Sequence, residues 1–518
     1  MAQKLKKIVG VLDKKSVYYL SMAVVFIIEF LCLGESGYVL REDSPAYLTF
    51  TGRVGVMPLY PLFLYVNRRL FGEGIYLSAV FVEQTVLAGT SIFALTEFVR
   101  RRFQLSYIAA CPVYLFAMFM PFTVNYPESI SNHDILTEGL AFPLFYFYMI
   151  CFLKSIFDKR YRDIVLLILV SVPLALTRTQ LQLIAVLNAA AFFYVAWMKG
   201  RSLRWTRQIG RGILYVFAAA MIVVVSEGMV LGGNSVGQRV IAAISRSEAQ
   251  EEEAAVEEEA EKAVREVSGK SMSGESVSQD KESTQTTAET VSNVTSQYGH
   301  LLIDKAVYEI DEDDYLLFED EELQKLCRAI FEAADSRESR YVYARNDLWM
   351  WQDIMNGIGS GVSVTNAGWA AYLEENPDTN LSYEAVNQIA VVLAAEHLGR
   401  IIYHTLCMMP QGFICTVFFQ KSSVYLLCHI ITLFIYLGAF VLVIWGYRNQ
   451  KIPRQYPEAL LGCIVINVLF VVIVSVMFFA MQRYLVYCFG IFYAAYYASI
   501  AKFFQYYFEQ RKNQKKLD

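Results

Sequence analysis

Ten stretches of this 518-residue chain are apolar over about the length a helix needs to cross a bilayer, and nothing else constrains its fold as strongly. A lipid interior offers no hydrogen-bond partner to a peptide group, so each stretch must satisfy its own backbone as an α-helix. The runs fall near 17–34, 75–98, 105–123, 137–153, 164–178, 180–198, 212–231, 424–446, 457–480 and 485–505. The fifth is short and must extend at its cytoplasmic end or be buried among its neighbours. The expected class is an all-α integral membrane protein of about ten transmembrane helices. Hydrophobic residues make up 55% of the chain and charged residues 18%, against about 25% charged in soluble domains. A single large soluble enzyme and a chain disordered throughout are both excluded.

The net charge of −5 hides a division. Residues 232–400 hold 13 Lys/Arg and 33 Asp/Glu, a balance of −20, which leaves +15 for the rest. Basic clusters lie at Lys4–Lys15, Arg100–Arg102, Lys154–Arg162, Lys199–Arg211, Arg448–Arg454 and Arg511–Lys516. Ten spans place all of them on one side, and short cytoplasmic loops are rich in Lys and Arg. Both termini are therefore expected in the cytoplasm of a multi-pass cell (plasma) membrane protein, with loops 35–74, 124–136 and 232–423 outside. The basic start lacks a small-residue cleavage site, so 17–34 reads as a retained span. Residues 401–419 are apolar too, but Pro410, Gln411 and Gly412 interrupt them. Spanning there would carry Arg448–Arg454 outward, so this segment is expected to be an interfacial or re-entrant helix.

Four regions follow. Residues 1–231 form a membrane module of seven spans, with loop 35–74 carrying the candidate chemistry. Residues 232–297 are an acidic, Ser/Thr-rich insertion whose composition (EEEAAVEEEAEKAVRE, then almost no aromatics) cannot bury a core, so disorder is expected. Residues 298–423 regain aromatics (Trp349, Trp351, Trp369, Tyr372) and helical spacing in 320–334 and 383–399, predicting a small helical cap that includes the interfacial helix. Residues 424–518 supply three spans and a basic tail. Eight of nine cysteines lie in or near apolar runs, with Cys327 the exception, so neither a disulfide framework nor zinc spacing is indicated.

Charged groups near membrane depth are costly and usually functional. In the first outer loop Glu42 and Asp43 are adjacent carboxylates that repel, which suits one of them to proton abstraction or the pair to a cation. The plainer explanation is that they cap a helix beginning near Pro45. Two short surface helices are expected between Ala46 and Leu62. At the mouth of the fourth span, Asp134 and Glu138 are four apart and would share a helix face if the helix starts early. His133 beside them suits a divalent ion, whereas acids at a helix N-terminus also answer the macrodipole. Arg178 and Arg483 lie at the same membrane face, each suited to a bidentate phosphate contact or to snorkelling toward headgroups.

In order, these segments are Asp43-Ser44-Pro45-Ala46-Tyr47, Pro58-Leu59-Tyr60-Pro61-Leu62, Leu70-Phe71-Gly72, Leu136-Thr137-Glu138-Gly139-Leu140, Leu176-Thr177-Arg178 and Arg483-Tyr484. The order resembles the GT-C class of polytopic glycosyltransferases, which includes protein O-mannosyltransferases and the aminoarabinose transferases of lipid A. The likeness covers about 10–231 and 420–505 and is strongest in 41–72. It implies an inverting transferase that moves a sugar from a polyprenyl-phosphate carrier to an acceptor hydroxyl on the outer face. By that resemblance Asp43 is the general base, Glu42 tunes it, and Asp134 or Glu138 is the second-loop acid. Arg178, Arg483 and Arg53 would lie near the carrier phosphate, and His133 would be a ligand of any divalent metal ion. Partners implied are the lipid-linked donor, membrane lipids and a glycan, lipid or protein acceptor, with no nucleic acid. The chain departs from the class in having Thr179 after Arg178 and no Pro shortly after Tyr484.

Two other classes remain open. A lipid or small-molecule transporter or flippase would use Glu29, the acid late in the first span, as a relay. A non-catalytic assembly partner in cell-envelope biogenesis would need Glu42 and Asp43 only as caps.

Overall fold

The computed structural model describes residues 10–41, 43–48, 57–119, 133–200, 211–212, 215, 305–336, 361–414, 425–449, 452–477 and 482–514. The run 212–231 apart from 212 and 215, the insertion 232–297, Trp349, Trp351, Glu42 and Arg53 lie outside the described residues.

Among the described residues the backbone is helical, apart from one bridge between Val39 and Asp134. In chain order the helices are α1 (Lys15–Ser36), α2 (Ser44–Leu48), α3 (Leu59–Phe71), α4 (Tyr76–Phe103), α5 (Tyr107–Phe119), α6 (Glu138–Asp158), α7 (Tyr161–Ala175) and α8 (Ile184–Gly200). They continue with α9 (Glu321–Ser336), α10 (Gly361–Glu375), α11 (Glu384–Glu396), α12 (Leu398–Ile414), α13 (Tyr425–Arg448), α14 (Gln455–Met477) and α15 (Gln482–Gln514). Six segments are long and apolar enough to cross a membrane: Lys15–Cys32, Tyr76–Phe103, Glu138–Asp158, Gln180–Lys199, Ile430–Arg448 and Gln455–Val476. The protein is thus an all-helical chain with the character of a membrane-embedded one.

The bundle is organised around α6, which packs against α4, α7, α8, α14 and α15. It buries Phe142, Phe145, Tyr146, Tyr148, Met149 and Phe152, so aromatic volume rather than aliphatic rows fills its centre. Tyr148 donates to Asn188 Oδ1 at 3.1 Å, and Asn188 donates to Ser171 Oγ at 2.9 Å, so these buried polar side chains answer one another. By contrast α1 exposes Leu20, Val24, Ile27, Ile28 and Leu31 along one side, the pattern of a helix facing lipid.

Opposite ends of the bundle differ in chemistry. One end joins basic termini to acids: Arg102 to Asp158 at 2.7 Å and Lys159 to Glu458 at 3.2 Å, with Lys502 donating to Gln104 at 2.9 Å. There α4 stops at Gln104 in left-handed backbone, its N–H bonded to the Arg100 and Arg101 carbonyls. The other end carries the start of α6, the end of α14 and the start of α15.

A helical cap sits at that second end. Helices α9, α10 and α11 close around Val307, Ile310, Leu326, Ile330, Tyr372, Ile389 and Leu393. Two ties hold the cap to the bundle. Lys305 Nζ donates to the Ser475 carbonyl at 3.0 Å, near the end of α14. Helix α12, bent 81° from α11, packs along α14. It buries His404 and Thr405 on one side and exposes Leu398, Ile402, Tyr403 and Leu406 on the other.

Candidate functional site

Loop one reaches the mouth of α6 through its backbone. Val39 N–H donates to the His133 carbonyl at 2.9 Å, and Ile135 N–H donates to the Val39 carbonyl at 2.9 Å. This pairing holds 133–135 extended, so α6 begins only at Glu138. The early helix start that would put Asp134 and Glu138 on one helix face is therefore not met. Asp134 precedes the helix, because Val39 takes the backbone groups that an earlier helical turn would need.

Side chains strengthen the splice. Ser44, wholly buried, donates its hydroxyl to the Ile135 carbonyl at 2.9 Å and accepts from Arg41 N–H at 2.8 Å. Arg41 Nε donates to Asp134 Oδ1 at 2.9 Å. Asp43 lies between these two anchors, half-buried, with its carbonyl accepting from Ala46 N–H at 3.1 Å. The Tyr47 ring meets Tyr60 edge-on at 5.6 Å. Tyr60 Oη donates to Gln84 Oε1 at 2.7 Å, and Gln84 Nε2 donates to the Asp134 carbonyl at 3.2 Å. Burial holds the Tyr60 phenol well above its ordinary pKa, and nearby Glu138, Tyr47 and Asp134 add to this, so it remains a donor. Gln84 reaches this position because residue 139 is glycine: a Cβ there would collide with the Gln84 amide.

Glu138 opens α6 with 1% of its surface exposed. Thr137 Oγ1 donates to its Oε2 at 3.0 Å, and Arg178 Nη1 pairs with its Oε1. Arg178 Nη1 also donates to Tyr487 Oη at 3.3 Å, in the second turn of α15. The loop before α8 is tied to loop one as well, since Leu59 N–H donates to the Leu176 carbonyl at 3.1 Å. Two buried carboxylates, Asp134 and Glu138, thus each face a guanidinium, which is the condition for keeping a charge away from water.

The structure brings Asp43, His133, Asp134, Glu138 and Arg178 to one end of the bundle. Arg483 lies in the first turn of α15, one turn before Tyr487; its side chain, like Glu42 and Arg53 as whole residues, is outside the described set. His133 is 16% exposed, with Nε2 at 3.9 Å from Asp134 Oδ1. Burial lowers its pKa below the usual 6.5, Asp134 opposes this and Arg41 adds to it. Among the described residues no three His, Cys, Asp or Glu side chains are grouped to hold a metal ion.

Comparison with known proteins finds no matching family model, no matching curated protein and no matching solved structure.

Sequence reasoning overlooked Gln84 and Tyr487 and gave Arg41, Ser44 and Tyr60 no role. A signal existed for Gln84: an amide inside an apolar span is costly unless bonded, and its partners had to lie nearby. Nothing along the chain marked Tyr487 among 34 tyrosines.

Proposed function

We propose that the protein is an inverting glycosyltransferase of the GT-C kind, passing a sugar from a polyprenyl-phosphate carrier to an acceptor hydroxyl on the outer face of the cell membrane. One observation carries this reading. Four residues with a place in the resemblance, Asp43, Asp134, Glu138 and Arg178, converge on one small polar site at the end of an apolar bundle: Asp43 beside the Arg41–Asp134 pair, and Arg178 against Glu138 and Tyr487.

Asp43 takes the proton from the acceptor hydroxyl. The acceptor oxygen then bonds to the sugar's anomeric carbon from the face opposite the phosphate, and the bond from that carbon to phosphate oxygen breaks. The electron pair stays on the departing lipid phosphate, so configuration inverts. Arg178, with Arg483 and Arg53, answers the negative charge growing there. Glu138 and Tyr487 hold Arg178 in place for that contact, and Arg41 holds Asp134 so that loop one keeps Asp43 at the mouth. A divalent cation would need Asp134 and His133 as ligands and would compete with Arg41 for the carboxylate. Lipid tails fit between apolar helices, and the cap lies at the same end and can exclude water.

Topology follows from the ends of the bundle. The end rich in Arg100–Arg102, Lys159 and Lys502 is cytoplasmic, as are both termini in a ten-span arrangement, and the site and cap face outward. Helices α5, α7 and α15 supply spans beyond the six long apolar segments, and 212–231 supplies another. Helix α12 lies in the outer interface with Leu398, Ile402, Tyr403 and Leu406 toward lipid.

One observation favours a transporter instead. Both carboxyl oxygens of Glu29, in α1, are buried without a hydrogen-bond partner among the described residues. The deciding experiment supplies membranes holding wild type or Asp43→Asn with radiolabelled polyprenyl-phosphate sugars. Transfer by wild type that Asp43→Asn loses is the expected result. Equal transfer by both removes Asp43 as base, and no transfer from any donor leaves transport or an assembly role, separated by testing flux through Glu29→Gln.

A further inference from the structure

Cations gather around one tyrosine at the basic end of the bundle. Tyr161 opens α7, and its ring centre lies 6.0 Å from that of Phe192 in α8. Arg211 Cζ stands 5.7 Å from the Tyr161 ring centre, and Arg160 and Arg162 flank Tyr161 in the chain. All three arginines are exposed, Arg162 over 68% of its side chain. Lys199 Nζ lies 4.8 Å from the same ring centre, has further contacts of its own, and adds to the local positive charge. Among the described residues the Tyr161 hydroxyl is buried without a hydrogen-bond partner, a costly state for a donor.

Acids at this end have cations of their own. Glu97 pairs with Arg100 at 2.8 Å, Asp158 with Arg102 at 2.7 Å and Glu458 with Lys159 at 3.2 Å. Asp163, wholly buried in the first turn of α7, lies 3.5 Å from Lys154 and 4.0 Å from Arg162. Among the described residues neither Arg160 nor Arg211 has a carboxylate within ion-pair distance. Beyond Arg162 the exposed face of α7 turns apolar. Val165, Leu166 and Leu169 follow at helical spacing, 42%, 43% and 61% exposed. In a bilayer such a face lies against acyl chains. A positive corner with an unanswered hydroxyl, at the end of an apolar stripe, has the outline of a phospholipid: phosphate at the corner, chain along the stripe.

We propose that this corner binds an anionic phospholipid, whose phosphate sits among Arg160, Arg162 and Arg211 and accepts a hydrogen bond from the Tyr161 hydroxyl. Charge complementarity selects the ligand. A zwitterionic lipid brings an ammonium group that the guanidiniums repel, whereas an anionic headgroup brings only the charge they attract. Arginine suits the task because its planar fork offers two donors to one phosphate. The acyl chain runs along Val165, Leu166 and Leu169. A lipid bound there ties the start of α7 to residue 211 through a shared headgroup. The corner lies at the end of the bundle opposite Glu138 and Arg178, so it stands independently of the chemistry proposed for that site.

Native mass spectrometry of the full protein, titrated in detergent with phosphatidylglycerol or phosphatidylcholine of identical chains, tests it. The first phosphatidylglycerol is expected to bind about tenfold more tightly than the first phosphatidylcholine, since each nearby cation contributes a factor of about five. In Arg160→Gln/Arg162→Gln/Arg211→Gln that preference falls to about twofold or less. Tyr161→Phe, which lacks only the hydroxyl, lowers phosphatidylglycerol affinity about fivefold. Arg448→Gln/Arg454→Gln, which removes exposed cations elsewhere at the same end, keeps the preference. Equal affinity of wild type for the two lipids overturns the proposal. So does a triple variant that keeps the preference, or a Tyr161→Phe protein with unchanged affinity. Loss of preference in Arg448→Gln/Arg454→Gln shows only a general attraction to the basic end, and overturns it too. Displacement of the lipid by excess glycerol phosphate shows a site for soluble anions and has the same consequence. If the triple variant does not express, Arg211→Gln alone should lower phosphatidylglycerol affinity about fivefold.

Discussion

Arg178 and Glu138 form an ion pair across the mouth of the bundle, with the acid's side chain 1% exposed and the guanidinium 12% exposed. One residue opens α6 and the other ends the loop after α7, so their pairing ties these two segments together. The same guanidinium nitrogen reaches Tyr487, which brings α15 into the arrangement.

Removing one partner strands the other. Arg178→Met leaves the buried Glu138 without its guanidinium, and a loss of about 3–5 kcal/mol is expected. Glu138→Gln/Arg178→Met removes both charges and should recover most of that loss. Thermal unfolding of the three proteins in detergent checks the order: wild type, then the double variant, with Arg178→Met lowest. Activity should be absent in both variants lacking Arg178 if the guanidinium meets the carrier phosphate.

Gln84 is held by what residue 139 lacks. In Gly139→Ala the added methyl displaces the Gln84 amide, breaking its bonds to Tyr60 and to the Asp134 carbonyl. The expected cost is about 1–3 kcal/mol. Gln84→Leu should cost a similar amount by taking the acceptor from Tyr60 Oη and one donor from that carbonyl, which keeps its bond from Leu136 N–H at 2.9 Å. The two changes combined should cost much less than their sum, because they break the same bonds. Melting temperatures of the three variants decide.

His133 makes stability depend on pH in one direction. Its folded pKa lies below the ordinary 6.5, so below pH 6.5 the unfolded chain binds a proton that the folded protein resists. Stability from this group is full above pH 6.5 and is lost as pH falls through the lowered value. His133→Asn should flatten that part of the profile while leaving the acid-range loss due to carboxylates. Melting temperatures of both proteins between pH 4.5 and 8 make the comparison.

The outward orientation of site and cap is testable without an assay for function. In a background lacking reactive native cysteines, Ser422→Cys should react with an impermeant maleimide added to whole cells. Gln450→Cys should react only after permeabilisation. Labelling of both from outside, or of neither, overturns the ten-span arrangement.

The apolar runs located most of the membrane helices, because twenty residues without charge leave the backbone no alternative in lipid. The run at 137–153 became α6, with its start at Glu138. Helical spacing in 320–334 and 383–399 likewise became α9 and α11. Segment 401–419 was legible as unusual from Pro410 and Gly412, and the structure turns its helix 81° away from α11.

Partnership was not legible. Asp134 stood out as an acid at a helix mouth, yet the chain did not show that the helix starts after it, because Val39, in another loop, bonds the backbone beside it. Arg41 finds Asp134 across 93 positions, and Arg178 finds Tyr487 across 309. Asp314 meets His397 across 83 positions, and Glu309 meets His404 across 95. The sequence by itself determined which segments must be helices and which polar residues would be expensive, since both depend on local composition and the solvent. The tertiary structure decided which charge answers which, because that pairing exists only after helices distant in the chain have packed side by side.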